Sequence, residues 1–309
     1  MGVEGHGEPG HAQAVVPGEG GEKVRQMQGR GHAGARLWDP EGKLPGGCFD
    51  GEAMRWTWVF LAVVLSGGVE AGKCKATSPQ TTVALVELYT SEGCDSCPPA
   101  DRWLSSLGAS YAPDRVVPIA LHVDYWDYIG WKDPYAQQRF SSRQRKMAQL
   151  ARAAMVYTPQ VLLQGQDFRR WGTAAFDSAV SKINARPAKA RISLALDTRR
   201  KGAFEVEALA ELLDPVQQGD AALYLGTYEN KLLSQVQAGE NRSKALPHDF
   251  VVFEWLGPLE IRAAAKLSEK RSLPLLPKAV AGHSGVVAFV QNRATAEVLQ
   301  ALMLPACNG

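Results

Sequence analysis

The fold is decided by residues 82–98, which read Thr-Val-Ala-Leu-Val-Glu-Leu-Tyr-Thr-Ser-Glu-Gly-Cys-Asp-Ser-Cys-Pro. The first eight residues are almost all apolar, which predicts a strand that is buried on both faces of a sheet. A short polar loop follows, and then Cys94 and Cys97 stand directly before Pro98. Because proline is favoured in the first turn of a helix, the stretch predicts a strand, a loop, a Cys-X-X-Cys pair and a helix.

This arrangement predicts a thiol–disulfide redox site of the thioredoxin type. Cys94 would lie just beyond the helix N-terminus, where unpaired N–H groups and the helix dipole favour a thiolate. Cys97 would be more shielded, which suits a resolving thiol. The alternative for such a pair is half of a zinc site, which normally needs a second Cys/His pair at close spacing. The later histidines, His122, His248 and His283, are not paired in this way.

The rest of the chain divides into two patterns. Alternating buried strands and helices continue to about residue 187, including a basic helix over 136–154 whose side chains, Arg143 among them, are expected to be mostly solvated. After that, short strand-like runs follow one another without convincing helices. The sequence therefore predicts an α/β thioredoxin-like domain over 80–187, a central mixed sheet flanked by helices, and a β-rich, sandwich-like domain over 188–305.

Two further features extend the predicted redox site. Glu87 is a carboxylate inside an apolar strand, and burial beneath the disulfide would raise its pKa and let it exchange a proton with Cys97. The alternative is an edge position at which Glu87 faces water. Thr158 precedes Pro159 before the third strand, where a cis peptide bond would expose the backbone of Thr158 to a substrate segment.

The segment after the second strand carries polar and aromatic side chains that form a candidate substrate groove. They lie at the strand end that faces the same crevice as the start of the first helix. The alternative is that the tryptophans pack against the second domain. His248 and Asp249 are expected to serve a turn or strand end rather than catalysis. The candidate groove residues are Thr158, His122, Asp124, Trp126 and Trp131.

Residues 54–71 have the features of a secretory signal peptide. Arg55 supplies a positive charge, an apolar run covers 56–65, and small residues follow. Residues 1–53 hold 14 of the 30 glycines and show no hydrophobic period, which predicts a disordered extension. We expect translation to start at Met54, so that 1–53 would be a mis-assigned start, and we expect a periplasmic or secreted protein. No membrane span remains after cleavage, because a span needs roughly 20 apolar residues.

The cysteine count agrees with export. Removal of 1–71 leaves Cys74, Cys94, Cys97 and Cys307, an even number, as is usual in an oxidising compartment. Since chain ends often lie close together, Cys74 and Cys307 are predicted to form a structural disulfide. The alternative is two unrelated surface thiols.

Several motifs resemble a bacterial family of exported thioredoxin-like proteins, catalogued as domain of unknown function 1223. They are the run over 86–101 that contains the cysteines, Leu-His-Val-Asp-Tyr-Trp-Asp-Tyr-Ile-Gly-Trp-Lys-Asp-Pro over 121–134, Tyr-Thr-Pro-Gln over 157–160 and Gly-Glu-Asn-Arg over 239–242. The resemblance covers about residues 82–304. It implies a thioredoxin fold, export and a redox role, with Cys94 and Cys97 as the redox pair, Glu87 as the strand acid and Pro159 as the proline before the third strand.

The sequence thus favours an exported thiol–disulfide oxidoreductase that acts on a protein or small-molecule thiol or disulfide and needs no cofactor. Asp95 adds negative charge beside Cys94, which favours a reducing poise. The formal net charge of +2 gives no reason to expect a nucleic-acid partner. Two alternatives remain open: a copper-binding protein with His122 as third ligand, and a non-catalytic interaction module with a structural disulfide.

Overall fold

The computed structural model describes residues 72–262 and 265–307. The predicted extension and signal peptide lie outside these residues. Within them the chain forms three α-helices, α1 Pro98–Ser110, α2 Gln138–Leu150 and α3 Ala174–Asn184. The strands are β1 Lys73–Thr77, β2 Ala84–Thr90, β3 Val116–His122, β4 Gln160–Leu163, β5 Gln166–Asp167, β6 Ala190–Asp197, β7 Ala203–Leu212, β8 Ala221–Glu229, β9 Leu232–Gln235, β10 Ala245–His248, β11 Val251–Glu260, β12 Lys266–Pro274, β13 Ser284–Asn292 and β14 Val298–Pro305.

The largest sheet has eight strands in the order β14-β13-β8-β11-β3-β2-β4-β5. β2 runs parallel to β3 and antiparallel to β4. On the far side of β3, β11 joins in parallel through Val251 and Ala120. The chain is therefore a mixed, β-rich α/β fold, and strands from both sides of residue 188 share one sheet. The sequence pattern does not reveal this continuity, because strand periodicity carries no information about which strands pair.

Helices cover both faces of the sheet around β2 and β3, whose residues are all buried. α1 and α3 lie together on one face, where Trp103 packs edge-on against Phe176 with ring centroids 5.0 Å apart. α2 lies on the other face, where Arg143 reaches Glu87 of β2. Since side chains alternate along a strand, Glu87 and Thr90 point to opposite faces.

A second sheet, in the order β1-β6-β7-β12, packs on the half of the large sheet formed by β8, β13 and β14. Apolar side chains of both sheets meet in one core, including Leu194 and Val206 from the small sheet and Leu223 and Val286 from the large one. Alternating burial along β6 and β7 fits a sheet with one face packed and one face solvated.

A disulfide joins the two ends of the described chain. Cys74 of β1 and Cys307, which follows β14, are bonded with their Cα atoms 5.5 Å apart. This is the pairing expected from the sequence, and it ties the small sheet to the edge of the large one.

Candidate functional site

The cysteine pair lies between the end of β2 and the start of α1. Cys94 and Cys97 form a disulfide with their Cα atoms 5.4 Å apart, and Cys97 is the N-cap residue of α1. The cysteine side of this turn is covered, since both cysteines are 0% exposed, whereas Asp95 and Ser96 between them face solvent. The sulfur atoms of this disulfide are therefore closed off from solvent.

One covering segment comes from the second half of the chain, and we call residues 236–244 the cap loop. The buried amide of Asn241 donates to the carbonyl of Glu92 at 2.8 Å and to the carbonyl of Cys94 at 2.9 Å. Lys244 in turn donates to the Asn241 side-chain oxygen at 2.9 Å. Glu240 accepts the backbone N–H of Asp95 at 3.2 Å. Side chains of the cap loop thus bind the main chain of residues 91–97, which we call the redox turn after the role that the sequence predicts for its cysteines.

A second covering segment is the aromatic loop, residues 124–131. A Cβ atom on Gly93 would lie 3.0 Å from Cβ of Trp126, and one on Gly239 would lie 2.9 Å from Cδ1 of Ile129. Gly239 also has a φ of +72°, which favours glycine. The two glycines let the redox turn, the aromatic loop and the cap loop pack directly on one another.

The structure brings several predicted groove residues together here. The Thr158–Pro159 peptide bond is cis, and the indole N–H of Trp126 donates to the Thr158 hydroxyl at 2.7 Å. Trp126 also packs against Gly93, next to Cys94. Trp126 therefore links Thr158, which precedes the cis proline, to the redox turn.

Two other predicted groove residues have different contacts. The carboxylate of Asp124 accepts a hydrogen bond from the Ser141 hydroxyl in α2, so it holds the aromatic loop to that helix. Trp131 donates to the buried carboxylate of Glu92 at 2.7 Å. Asp124 therefore ties the aromatic loop to α2, and Trp131 ties it to Glu92, two residues before Cys94.

His122 belongs to a buried ion pair. Its Nδ1 lies 2.7 Å from Oδ2 of Asp133, and both side chains are fully buried. Burial by itself lowers the pKa of His122, but the carboxylates of Asp133, Asp101 and Glu92 together outweigh burial and the pKa is raised. Burial likewise opposes ionisation of Asp133, but His122 and the surrounding hydrogen bonds lower its pKa. The pairing therefore favours an ionised carboxylate beside a protonated imidazole.

A second histidine–carboxylate pair lies beside the first. Nε2 of His248 is 3.1 Å from Oε1 of Glu92, and the His122 and His248 rings are 5.0 Å apart. The backbone N–H of Glu92 donates to Asp133 at 2.9 Å, which connects the two pairs. His248 ends β10, a strand end as the sequence predicted, and its ring also lies within this cluster of ionisable groups.

Asp101 completes the cluster from α1, one helical turn after Cys97. Burial raises the pKa of Asp101, and nearby His248, His122 and Thr90 partly oppose that rise. Sequence reasoning did not single out Asp101, Glu92 or Asp133. A spacing of four residues from Cys97 was the available signal for Asp101, because residues i and i+4 share a helix face.

Glu87 has a different environment from the one expected. Arg143 binds its carboxylate through two hydrogen bonds of 2.7 and 3.0 Å, and the Tyr89 hydroxyl donates at 3.0 Å. Arg143, expected on a solvated helix face, is buried over the rings of Tyr224 and Phe289. Glu87 therefore faces α2, and its contacts do not support the expected proton exchange with Cys97.

Over residues 72–262 and 265–307, no set of three or more His, Cys, Asp or Glu side chains is arranged to hold a metal ion. In the same residues, no helix is both long and apolar enough to span a bilayer.

Comparisons with solved structures show where this fold occurs elsewhere. The chain is similar to protein AGR_C_4864 from Agrobacterium tumefaciens, with a TM-score of 0.53, 21% identity, and coverage of 74% of this chain and 96% of that one. It is also similar to HBP35 of Porphyromonas gingivalis, with a TM-score of 0.55, 16% identity, and coverage of 74% and 76%. A domain of the outer membrane lipoprotein Omp28 from the same organism aligns with a TM-score of 0.25 at 16% identity, over 39% and 89% of the two chains.

The sequence comparison identifies the family. No curated protein matches the chain. A family model described as "Protein of unknown function (DUF1223)" matches residues 85–291, which include the redox turn, the aromatic loop, the cap loop and His248. The chain therefore belongs to the DUF1223 family.

Proposed function

We propose that this protein is an exported, thioredoxin-like thiol–disulfide oxidoreductase with Cys94 and Cys97 as its redox pair. The observation that carries the proposal is the Cys94–Cys97 disulfide between a buried strand and the N-terminus of α1. Unpaired N–H groups at a helix N-terminus stabilise a thiolate, and this lowers the cost of breaking the disulfide. The cis peptide at Pro159 and the link from Thr158 to Trp126 support a substrate groove beside the pair.

The proposed reaction is exchange with a protein or small-molecule thiol. A substrate thiolate attacks Sγ of Cys94, the bond to Sγ of Cys97 breaks, and its electron pair leaves Cys97 as a thiolate. A second substrate thiolate then attacks the substrate sulfur of the mixed disulfide and releases Cys94 as a thiolate. The substrate is oxidised to a disulfide and the protein is reduced by two electrons, and the reverse sequence oxidises the protein.

Movement of the cap loop is part of this proposal, because both cysteines are fully buried. Release of Asn241 from the carbonyls of Glu92 and Cys94 would open the face of the turn that a substrate must reach. The negative charge of Asp95 disfavours a Cys94 thiolate, which supports a reduction potential of the cysteine pair nearer that of a reductant than of a strong oxidant.

Export rests on two features of the chain. Residues 54–71 have the charge, apolar run and small residues of a signal peptide. The Cys74–Cys307 disulfide fits an oxidising compartment, where structural disulfides persist.

Turnover in a coupled thiol assay tests the function. Catalytic amounts of the wild-type protein should speed the reduction of insulin disulfides by dithiothreitol, and Cys94→Ser and Cys97→Ser should abolish the effect. A Cys74→Ser/Cys307→Ser variant is the matched control and should keep it. If the wild-type protein gives no turnover and both Cys94→Ser and Cys97→Ser lower the denaturation midpoint, the disulfide is structural and the proposal is overturned.

A further inference from the structure

Two buried ring nitrogens beside Asp101 have no hydrogen-bond partner. They are Nε2 of His122 and Nδ1 of His248. Buried polar groups are nearly always hydrogen-bonded, and leaving one unpaired destabilises the fold. The charges of His248 and His122 and a side-chain hydrogen bond with Thr90 all act on the pKa of Asp101, which shows that the four residues lie in one neighbourhood. Two unpaired imidazole nitrogens beside one buried carboxyl indicate a site kept for function rather than packing.

The cluster lies directly behind the redox pair. The backbone N–H of Asp101 donates to the carbonyl of Cys97 at 3.1 Å, which is the i to i+4 bond of a regular helix. Cys97 itself has helical backbone angles, so its side chain and that of Asp101 lie on one face of α1, one turn apart. Among the acidic groups described above, Asp101 is thus the carboxyl that the helix places beside Cys97.

Each histidine is held in a fixed orientation by its other ring nitrogen. Asp133 binds Nδ1 of His122, which leaves Nε2 unpaired, and Glu92 binds Nε2 of His248, which leaves Nδ1 unpaired. In the protonated form of His122, which the neighbouring carboxylates favour, Nε2 bears a proton that it can give up. The two unpaired ring nitrogens and the Asp101 carboxyl lie in the same buried space.

We infer that Asp101, His122 and His248 form a proton relay that serves the sulfur of Cys97. The inference rests on the proposed redox function and names the groups that move its proton. When the disulfide opens, protonated Asp101 gives its proton to the Cys97 thiolate and is reprotonated by an imidazolium. In the reverse direction, Asp101 first returns that proton to the imidazole, and its carboxylate then takes the proton from the Cys97 thiol as that sulfur attacks Sγ of Cys94 in the mixed disulfide. The substrate thiolate then leaves with the bonding electron pair.

The relay is tested by a reaction that reports the two thiols separately. Reduced protein is mixed with 5,5′-dithiobis(2-nitrobenzoate). The first release of coloured thiolate reports attack by Cys94, and the second reports resolution by Cys97. Asp101→Asn should leave the first phase unchanged and slow the second at least about tenfold at pH 7, because general base catalysis typically contributes about 100- to 10,000-fold. The defect should shrink as pH rises and hydroxide removes the proton instead.

Two variants separate proton transfer from a structural role. Asp101→Glu, which keeps a carboxyl, should restore the pH profile of the second phase in part. Asp114→Asn removes an exposed carboxylate that follows α1 and should change neither phase. If Asp101→Asn fails to fold, infrared difference spectra of the wild-type protein replace it: a protonated carboxyl band should change on reduction and shift in Asp101→Glu.

The outcomes decide between the relay and the function on which it depends. If the wild-type protein shows neither phase, the redox function fails and the relay fails with it. If the wild-type protein shows both phases and Asp101→Asn is unchanged, the relay alone is overturned. A loss in Asp101→Asn that is equal at every pH and is not restored by Asp101→Glu also overturns it, since that result is structural.

Discussion

Opening of the cap loop should control the reduction of the Cys94–Cys97 disulfide, and Asn241→Ala is the substitution that tests this. The Asn241 amide donates two hydrogen bonds to main-chain carbonyls of the redox turn. At about 1 kcal/mol for each bond, with an added cost for buried carbonyls left unpaired, the closed state loses about 2–3 kcal/mol. With 1.36 kcal/mol for each tenfold change, the open population rises about 30- to 150-fold.

The assay is native-state reduction by a small phosphine, quenched by alkylation and resolved by peptide mass. When opening and closing are fast, the reduction rate follows the open population, so Asn241→Ala should react about 30- to 150-fold faster than the wild-type protein. The partly exposed Cys74–Cys307 disulfide is an internal control whose rate should not change.

Asn184→Ala is the matched control variant. Asn184 also bridges two carbonyls, those of Thr82 and Arg115, at 2.9 and 3.0 Å, but it lies at the end of α3. It should lower overall stability without speeding reduction of the redox pair. If Asn184→Ala accelerates reduction as much as Asn241→Ala, or if neither does, the cap loop is not the barrier and the reasoning is refuted.

Three further predictions concern stability, each measured by denaturant unfolding. Arg143→Met should lower the free energy of unfolding by about 3–5 kcal/mol, because it leaves the buried Glu87 carboxylate without its partner. Adding Glu87→Gln should recover most of that loss, and a double variant as unstable as Arg143→Met would contradict this. The difference in unfolding free energy between the wild-type protein and Asp133→Asn should be largest between the ordinary pKa values of 3.8 for Asp133 and 6.5 for His122. It should fall as pH drops through the lowered pKa of Asp133 or rises through the raised pKa of His122, and a flat profile would disprove the charged pair. Cys74→Ala/Cys307→Ala should lower the free energy of unfolding by about 2–5 kcal/mol, since the disulfide closes a loop across 233 positions. The double variant should still catalyse insulin reduction, and a loss of turnover would show that this disulfide supports the site.

The sequence was most informative about the features that depend on residues close together in the chain. Apolar β-branched runs and a proline after Cys97 predicted the strand, the redox turn and α1, because these features depend on neighbours along the chain. The pairing of Cys74 and Cys307 followed from the even number of cysteines that remain after residue 71 and from the tendency of chain ends to lie close together. The family resemblance, carried by long motifs, was confirmed over residues 85–291.

The features that the sequence did not predict all depend on contacts between distant segments. Glu87 was expected near Cys97, but the partner that decides its orientation is Arg143, 56 positions away in a helix that is otherwise polar. The carbonyl of Cys94 accepts a hydrogen bond from Asn241, 147 positions away. His248 had no local signal for a role beside the redox turn, since only the folded chain brings it to Glu92.

The central claim is that the Cys94–Cys97 pair exchanges electrons in the folded protein. A redox titration in glutathione buffers under native conditions, read by alkylation and peptide mass, tests it most directly. The account predicts that Cys94 and Cys97 interconvert reversibly between dithiol and disulfide while Cys74–Cys307 stays oxidised and the protein stays folded. If Cys94–Cys97 remains oxidised until the protein unfolds, the pair is a structural bridge and the account is contradicted.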